Sequence, residues 1–139
     1  MRDSIDNNKN YKMSTDTIKK IPAGLEKNLG TGDMILPSEE TVSQELRNVS
    51  DNALITIPKL REQIAQKFGV TTACPKTTLS TLRKMMDSNS TLASKVVNGK
   101  GELITKDPYK QLGLMITGQF VIDESGNKLK VKDFKKYLV

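Results

Sequence analysis

The chain has 139 residues, enough for one domain with a modest core, and 36% of them are hydrophobic. It contains no histidine and one cysteine, which excludes an internal disulfide, a Cys/His zinc site and the commonest general base. The net charge is +6, and the excess lies in residues 37–139; a basic domain can be attracted to nucleic acid or to an anionic membrane surface, but many basic domains bind neither.

Several motifs are missing from the sequence. It has no apolar run of about 18 residues and no apolar segment near its N-terminus that is typical of a signal peptide. It has neither GxxxxGK[ST] nor GxGxxG, the glycine-rich loops that hold phosphates. We therefore expect a cytoplasmic protein with no cofactor, no metal and no membrane association.

Residues 1–36 are predicted to form a disordered or irregular N-terminal extension. Polar residues dominate positions 1–13, and glycine and proline interrupt the rest, with room for a short helix over residues 15–20. The apolar residues that could hold this segment against the domain are Ile18, Ile21, Leu25, Met34 and Ile35. Residues 37–139 contain no linker, so we predict one domain there.

The first helix of that domain is predicted to begin after Ser38. Serine is a favourable N-cap, and Glu39 and Glu40 place negative charge in the first turn, where it suits the helix dipole. Helical spacing predicts a buried stripe of Val42, Leu46 and Val49. Polar residues at 50–52 end the pattern.

Two further helices are predicted from threonine, proline and glycine signals. Thr56 can cap a helix that has Pro58 in its first turn and Gly69 as its stop, and Pro75 opens a third helix. The predicted core positions are Ile57, Leu60, Ile64 and Phe68 in the second helix, and Leu79, Leu82 and Met86 in the third. Three helices, the last two joined by a short turn, form a helix-turn-helix arrangement.

The segment after the third helix is predicted to form a wing. Residues 95–97 are β-like, residues 98–101 read Asn-Gly-Lys-Gly, which is a hairpin turn signal, and residues 102–104 can return. We therefore predict a mainly α fold with small β hairpins, that is, a winged helix-turn-helix-like domain over residues 37–139.

The C-terminal part is predicted to hold a fourth helix, a second hairpin and a short final helix. Asp107 caps the fourth helix, and Pro108 opens it. Its predicted core face is Tyr109, Leu112 and Met115 or Ile116, and Phe120 is also predicted to be core. The second hairpin turns at residues 125–127, and Asp133 is predicted to cap a helix that carries Phe134, Tyr137 and Leu138.

Polar side chains on the third helix and the wing are the candidate DNA-binding residues. Threonine and serine can bond base edges or phosphates, and lysine and arginine contact phosphates. The candidates are Lys76, Thr77, Thr78, Ser80, Arg83, Lys84, Lys95, Asn98 and Lys100. Lys106 could extend the line of charge along the wing. The alternative interpretation is a solvated helix face and an ordinary polar hairpin.

Three stretches, in this order, carry a family resemblance. SEETVSQELRNV followed by LITIPKLREQIAQKFG matches the family's first helix and the helix before the turn. CPKTTLSTLRKMM lies at the place of the recognition helix, and SKVVNGKGELI is similar to the end of the acceptor motif. Over roughly residues 34–139 the chain resembles the C-terminal DNA-binding domain of the alkylguanine-DNA alkyltransferases. It also resembles the alkyltransferase-like proteins, which lack the reactive cysteine.

The resemblance also shows which functional residues differ from the family. Ala93 and Ser94 stand where the enzymes have the acceptor cysteine and its activating histidine, and Lys95 replaces an arginine. Ala93 has no nucleophilic atom, so alkyl transfer by that route is impossible. Leu79 stands where the family has the arginine that fills the gap left by a flipped base, and Ile57 where it has the tyrosine that rotates the nucleotide.

These observations leave two main hypotheses of function. The first is a non-enzymatic DNA-binding protein of alkyltransferase-like type, with recognition of damaged DNA as an extension. The second is a protein–protein interaction module that has reused the fold without binding DNA. A third, an enzyme that uses Cys74 as nucleophile, competes with the interpretation we favour, in which Cys74 is a small residue filling a turn.

Overall fold

The structure is a computed structural model that describes residues 15–115 and 120–139. Over these ranges, short strands and five α-helices form a mixed α/β fold with small sheets. The helices are α1 (Glu26–Leu29), α2 (Glu39–Leu46), α3 (Ile57–Phe68), α4 (Pro75–Asp87) and α5 (Pro108–Leu114). The strands are β1 (Thr17–Lys20), β2 (Asp33–Leu36), β3 (Ile55–Thr56), β4 (Thr72–Ala73), β5 (Val96–Val97), β6 (Ile122–Asp123) and β7 (Lys130–Val131). Three 3₁₀ segments are Ala23–Leu25, Ala93–Lys95 and Phe134–Tyr137.

The helix predicted over residues 15–20 is wrong, because these residues contain strand β1. β1 pairs antiparallel with β2, and Ile18 lies opposite Ile35. Pairing with β2 satisfies backbone groups of a segment whose β-branched Thr17 and Ile18 suit a strand better than a helix. Gly30 and Gly32 have φ angles of +89° and +111° in the connection, a conformation that other residues rarely adopt.

The same hairpin is tied to the rest of the fold. β2 also pairs in parallel with β4, so this sheet crosses the predicted domain boundary at residue 37. Ile35 is fully buried in the main core, and Ile21 is also buried, whereas Ile18 and Leu25 are exposed. The predicted disorder of residues 1–13 lies outside the described residues.

Helix α2 begins with the predicted cap. The Ser38 hydroxyl accepts a hydrogen bond from the Thr41 backbone N–H at 3.3 Å. The Asp16 carboxylate accepts from the Ser38 N–H at 2.7 Å and from the Thr41 hydroxyl, which fastens the start of the described chain to this helix. The predicted stripe is confirmed as buried: Val42, Leu46 and Val49.

Helices α3 and α4 confirm the predicted signals. The Thr56 hydroxyl caps α3 by accepting from the Lys59 N–H at 3.3 Å, Gly69 ends it in the left-handed conformation, and Pro75 opens α4. Leu60, Ile64, Leu82 and Met86 are buried, as predicted. Ile57, Phe68 and Leu79 are partly buried against the same core.

The predicted wing hairpin is reduced to a tight turn. β5 pairs in parallel with β3, with Ile55 opposite Val96, and not with residues 102–104. The Asn98 N–H still donates to the Glu102 carbonyl at 3.0 Å, but Glu102 forms its bridge with Lys130 of β7. Residues after the turn therefore join the C-terminal hairpin, so the structure does not confirm a winged helix.

Helix α5 starts at Pro108 with Asp107 as its cap, as predicted. Tyr109, however, is 61% exposed, which corrects its assignment to the core, while Gln111 is fully buried. The Gln111 side chain accepts from the Ile104 N–H at 2.7 Å and donates to the carbonyls of Ser94 at 3.1 Å and Val96 at 2.7 Å. This amide therefore fastens α5 to the segments before and after the turn.

The remaining C-terminal predictions meet mixed outcomes. Leu112, Met115 and Phe120 pack against a second apolar cluster. Ile116 lies outside the described residues. The second hairpin is confirmed, since β6 and β7 pair antiparallel. The final helix is the 3₁₀ segment Phe134–Tyr137, but the Asp133 side chain does not cap it and its backbone is left-handed.

Two apolar clusters stabilise the described residues. The larger one joins α2, α3 and α4 to β2, β4 and β5. The smaller one lies under the C-terminal hairpin and comprises Leu54, Val97, Leu103, Leu129, Val131 and Phe134. Among the described helices, none has the length and apolar character needed to span a bilayer.

Candidate nucleic-acid interface

One side of α4 carries an exposed polar stripe. Lys76, Ser80 and Lys84 are all exposed, and their spacing of four residues places them on one side of the helix. Thr77 lies beside them and is half-buried. These four predicted DNA-binding residues are therefore at or near the surface of one helix face.

Thr78 does not belong to that face, which corrects its prediction as a DNA-binding residue. It is fully buried, because it lies on the side of α4 that also carries Leu82 and Met85. Its hydroxyl has no hydrogen-bond partner within residues 15–115 and 120–139. A buried and unpaired hydroxyl cannot contact a nucleic acid, and it destabilises the fold.

Arg83 has both a structural contact and a surface role. Its Nε–H donates to the Ile104 carbonyl at 2.9 Å, which ties α4 to the segment before α5. The residue is half-buried and lines a surface cleft. The backbone contact fixes where the arginine side chain lies, so its charge is held at the cleft rather than moving freely on a solvated helix.

Lys95 is the clearest error among the predicted DNA-binding residues. It is only 6% exposed. Its ammonium donates to the Val49 carbonyl at 2.6 Å and forms an ion pair with the Asp51 carboxylate at 3.0 Å. The buried ammonium therefore binds two groups in the segment that follows α2 and is not available to a phosphate.

The two remaining predicted residues lie at the tight turn. The Asn98 side chain accepts from the backbone N–H groups of Lys100 and Glu102 and donates to the Glu102 carboxylate at 2.8 Å. Those bonds make it a turn-stabilising residue. Lys100 is exposed, and the groove it lines has a mixed field, with the carboxylates of Glu102 and Asp123 beside two further lysines.

A cleft of about 640 Å³ lies between α4, residues 103–109 around the start of α5, and residues 126–129. Its cations are Arg83, Lys106 and Lys128, and none of the described residues that line it is acidic. Its other lining residues are Ile57, Leu79, Asn98, Leu103, Ile104, Thr105, Pro108, Tyr109, Gly126, Asn127 and Leu129. We call this feature the cationic cleft.

A second cleft of about 570 Å³ adjoins the first. It shares Arg83, Thr105 and Lys106 with the cationic cleft and adds Ser80, Lys84 and Lys110. Asp87 and Asp107 also line it, so its field is mixed. Through Ser80 and Lys84, this second cleft makes the exposed stripe of α4 continuous with the cationic cleft.

Ile57 and Leu79 lie on the wall of the same cleft. These are the two positions that the family resemblance aligns with the tyrosine and arginine that handle a flipped base. Both residues also pack against the main core while lining the cleft. Leu79 is thus both a core-packing residue and an apolar surface residue, because it lies at the edge of the core.

The positions aligned with the acceptor motif are buried. Ala93 is fully buried, and Ser94 is 1% exposed. The Ser94 hydroxyl donates to the carbonyl of Thr91 at 2.6 Å and shares this hydrogen with the carbonyl of Leu114 at 3.2 Å. These residues therefore act as packing and hydrogen-bonding groups, and the cationic cleft does not include them.

Cys74 lies at the N-cap of α4 and is partly exposed. Burial alone would raise the pKa of its thiol. The nearby Thr77 hydroxyl and the N–H groups of Thr77 and Lys76, with the positive charge of Arg61, together lower this pKa below its usual range, although the Cys74 side chain accepts no capping hydrogen bond. The thiolate of Cys74 is thus populated at a lower pH than that of an ordinary cysteine. No group of three potential metal ligands occurs in the part of the chain that the structure describes.

Sequence reasoning missed the concave part of this site. Lys128 lies in a lysine-rich C-terminal stretch that carries no sequence signal of a site, and the three-residue spacing between Tyr109 and Leu112 predicts a core position for Tyr109. Only the folded chain brings Tyr109, Lys128 and α4 to one cleft.

Comparison with known proteins supplies no further guide, because no family model, curated protein or solved structure matches this chain.

Proposed function

We propose that this chain is a non-enzymatic DNA-binding protein that contacts duplex phosphates with the exposed face of α4 and the cationic cleft. The observation that carries the proposal is the cleft itself. It holds three cations and, among the described lining residues, no carboxylate, beside a helix whose exposed side chains are Lys76, Ser80 and Lys84, with one acid, Asp87, at its C-terminal end.

The charges are arranged to bind a polyanion. Lys106 and Lys128 form no ion pair with any described residue, although each also faces an adjoining cleft that contains two carboxylates. Arg83, Lys84 and Lys76 extend the positive surface along α4. About four or five phosphate contacts by this surface would give a slope of log affinity against log salt of about −4. Thr77 and Ser80 are then the residues near enough to reach base edges.

The non-enzymatic part of the proposal rests on the buried acceptor position. Ala93 offers no nucleophile, and the Ser94 hydroxyl is already hydrogen-bonded to two backbone carbonyls. Recognition of damaged duplex stays an extension of the proposal, since Ile57 and Leu79 are apolar where the family has its base-handling residues. We expect the protein to act in the cytoplasm, because a chain with a single cysteine needs no oxidising compartment.

The test is a salt titration of binding to a short duplex, with and without one alkylated guanine. The variant Lys106→Ala/Lys128→Ala removes two cleft charges and should lower the magnitude of the salt slope by about 2. The matched control is Lys19→Ala/Lys27→Ala, which removes two exposed charges from β1 and α1, outside both clefts. We expect the control to keep the parent slope to within about one unit.

Two results would overturn the proposal. One is the lack of any duplex binding at about 50 mM salt, where phosphate contacts are strongest. The other is an equal loss of affinity in the cleft variant and the control, since this would mean that net charge alone drives binding. The first result would leave the protein–protein interaction module as the better hypothesis.

A further inference from the structure

The cationic cleft has the size of a small-molecule site. Its volume of about 640 Å³ lies inside the range of about 300–1,000 Å³ that is usual for ligand pockets. Its cations come from α4 and from two separate loops, so they surround the cavity instead of lying along one helix. A ligand that fills the cavity can therefore contact more than one of them.

The apolar part of the cleft suits a ligand that has an apolar group as well as an anionic one. Ile57, Leu79 and Leu103 line it together with the cations. A phosphate alone would leave the half-buried Ile57 and Leu79 in contact with water, whereas a ligand with a flat apolar body would cover them and gain free energy from their burial.

Tyr109 supplies an exposed aromatic face on the same cleft. It is 61% exposed, although it begins a helix beside the second core. The Phe134 and Tyr137 rings each already carry a lysine ammonium, at 5.7 and 5.5 Å from the ring centroid. Among the described residues, no cation is placed over the Tyr109 ring, so it is open to stack on a planar ligand.

We propose that the cationic cleft binds one free phosphorylated nucleoside, with its base stacked on Tyr109 and its phosphate held by Arg83, Lys106 and Lys128. This goes beyond the proposed function, because a mononucleotide offers no groove and no neighbouring phosphates. Nucleotide and duplex use the same cations, so the nucleotide competes with DNA for the cleft.

Calorimetric titration with adenosine 5′-monophosphate tests the proposal on the full chain. Tyr109→Ala should weaken binding by about 10-fold, whereas Tyr109→Phe should retain it, because stacking needs the ring and not the hydroxyl. Val121→Ala is the control, since Val121 is 60% exposed and does not line the cleft. Lys128→Ala should weaken binding of this nucleotide and leave binding of adenosine unchanged.

Three ligands separate the contributions. Adenosine lacks the phosphate, ribose 5-phosphate lacks the base, and inorganic phosphate lacks both; each should bind more weakly than the nucleotide. The nucleotide should also displace a bound duplex. The proposal fails if ribose 5-phosphate binds as tightly as the nucleotide, or if Tyr109→Ala and Lys128→Ala both leave nucleotide affinity unchanged. Duplex binding with the expected salt slope but no nucleotide binding would refute this proposal alone.

Discussion

Replacing Lys95 by methionine distinguishes a structural lysine from a DNA-binding one. The Lys95 ammonium donates to the Val49 carbonyl at 2.6 Å and pairs with Asp51 at 3.0 Å, and the residue is 6% exposed. Methionine keeps the length and most of the volume of the side chain but has no donor. The variant therefore removes two polar contacts while preserving the packing around the end of α2.

The expected loss follows from the two contacts. A hydrogen bond from a charged donor contributes about 1.5–3 kcal/mol, and its loss leaves the Val49 carbonyl unpaired. The pair with Asp51 contributes less than about 1 kcal/mol, because the Asp51 side chain is 55% exposed and screened by water. Methionine avoids the cost of burying an ammonium, which offsets part of the loss. We expect Lys95→Met to lower the free energy of unfolding by about 2 kcal/mol.

Urea unfolding followed by circular dichroism measures that change, with Asp51→Asn as the companion variant. Asp51→Asn should cost less than about 1 kcal/mol, since it removes only the exposed partner. Duplex affinity of folded Lys95→Met should stay within about twofold of the parent at equal salt, because a buried lysine neutralises no phosphate. Unchanged stability combined with weakened binding would refute the buried placement of Lys95 and restore it as a DNA contact.

Three further predictions follow from single side chains. Gln111→Met removes three hydrogen bonds to the backbone and should lower the free energy of unfolding by about 3 kcal/mol in the same urea assay; a loss below about 1 kcal/mol would contradict it. Thr78→Val replaces the unpaired buried hydroxyl by a methyl group and should raise stability by about 1 kcal/mol, visible as a higher melting temperature; a decrease would reveal a partner for the hydroxyl. The lowered pKa of Cys74 keeps its thiolate populated to lower pH, so the pH midpoint of its alkylation by iodoacetamide should lie below that of the urea-unfolded chain. Thr77→Ala should move that midpoint upward, and equal midpoints in the folded and unfolded chains would rule out the shift.

The elements that sequence patterns predicted correctly are those with local signals. The caps Ser38, Thr56 and Asp107 bond backbone N–H groups two or three residues away, and Gly69 ends α3 in its own left-handed conformation. Each of these contacts is complete within one helical turn. The helices α2 to α5 could therefore be located without knowledge of the rest of the fold.

The structure does not confirm the predicted wing, because strand pairing is not a local property. The Asn-Gly signal at 98–99 does form a turn, but the two-residue strand β5 finds its partner in β3, about forty residues earlier. Which partner wins depends on how α3 packs against the core, because β3 leads directly into that helix. The same packing buries Lys95, whose position in the sequence resembles that of any exposed hairpin lysine.

The predicted and observed surfaces differ in where the positive charges lie, and not in the net charge. The prediction placed Lys95 and Lys100 on a wing. The structure instead buries Lys95, places Lys100 in a groove of mixed charge, and lines one cleft with Arg83, Lys106 and Lys128. Composition measures the net charge, which is the same for both arrangements, so it could not distinguish a wing from a cleft. The distinction matters because a wing presents its charges along a line, whereas the cationic cleft places three charges from different segments around one cavity. A cavity can enclose a single small ligand and a line of surface charges cannot, so nucleotide binding is the measurement most sensitive to the difference.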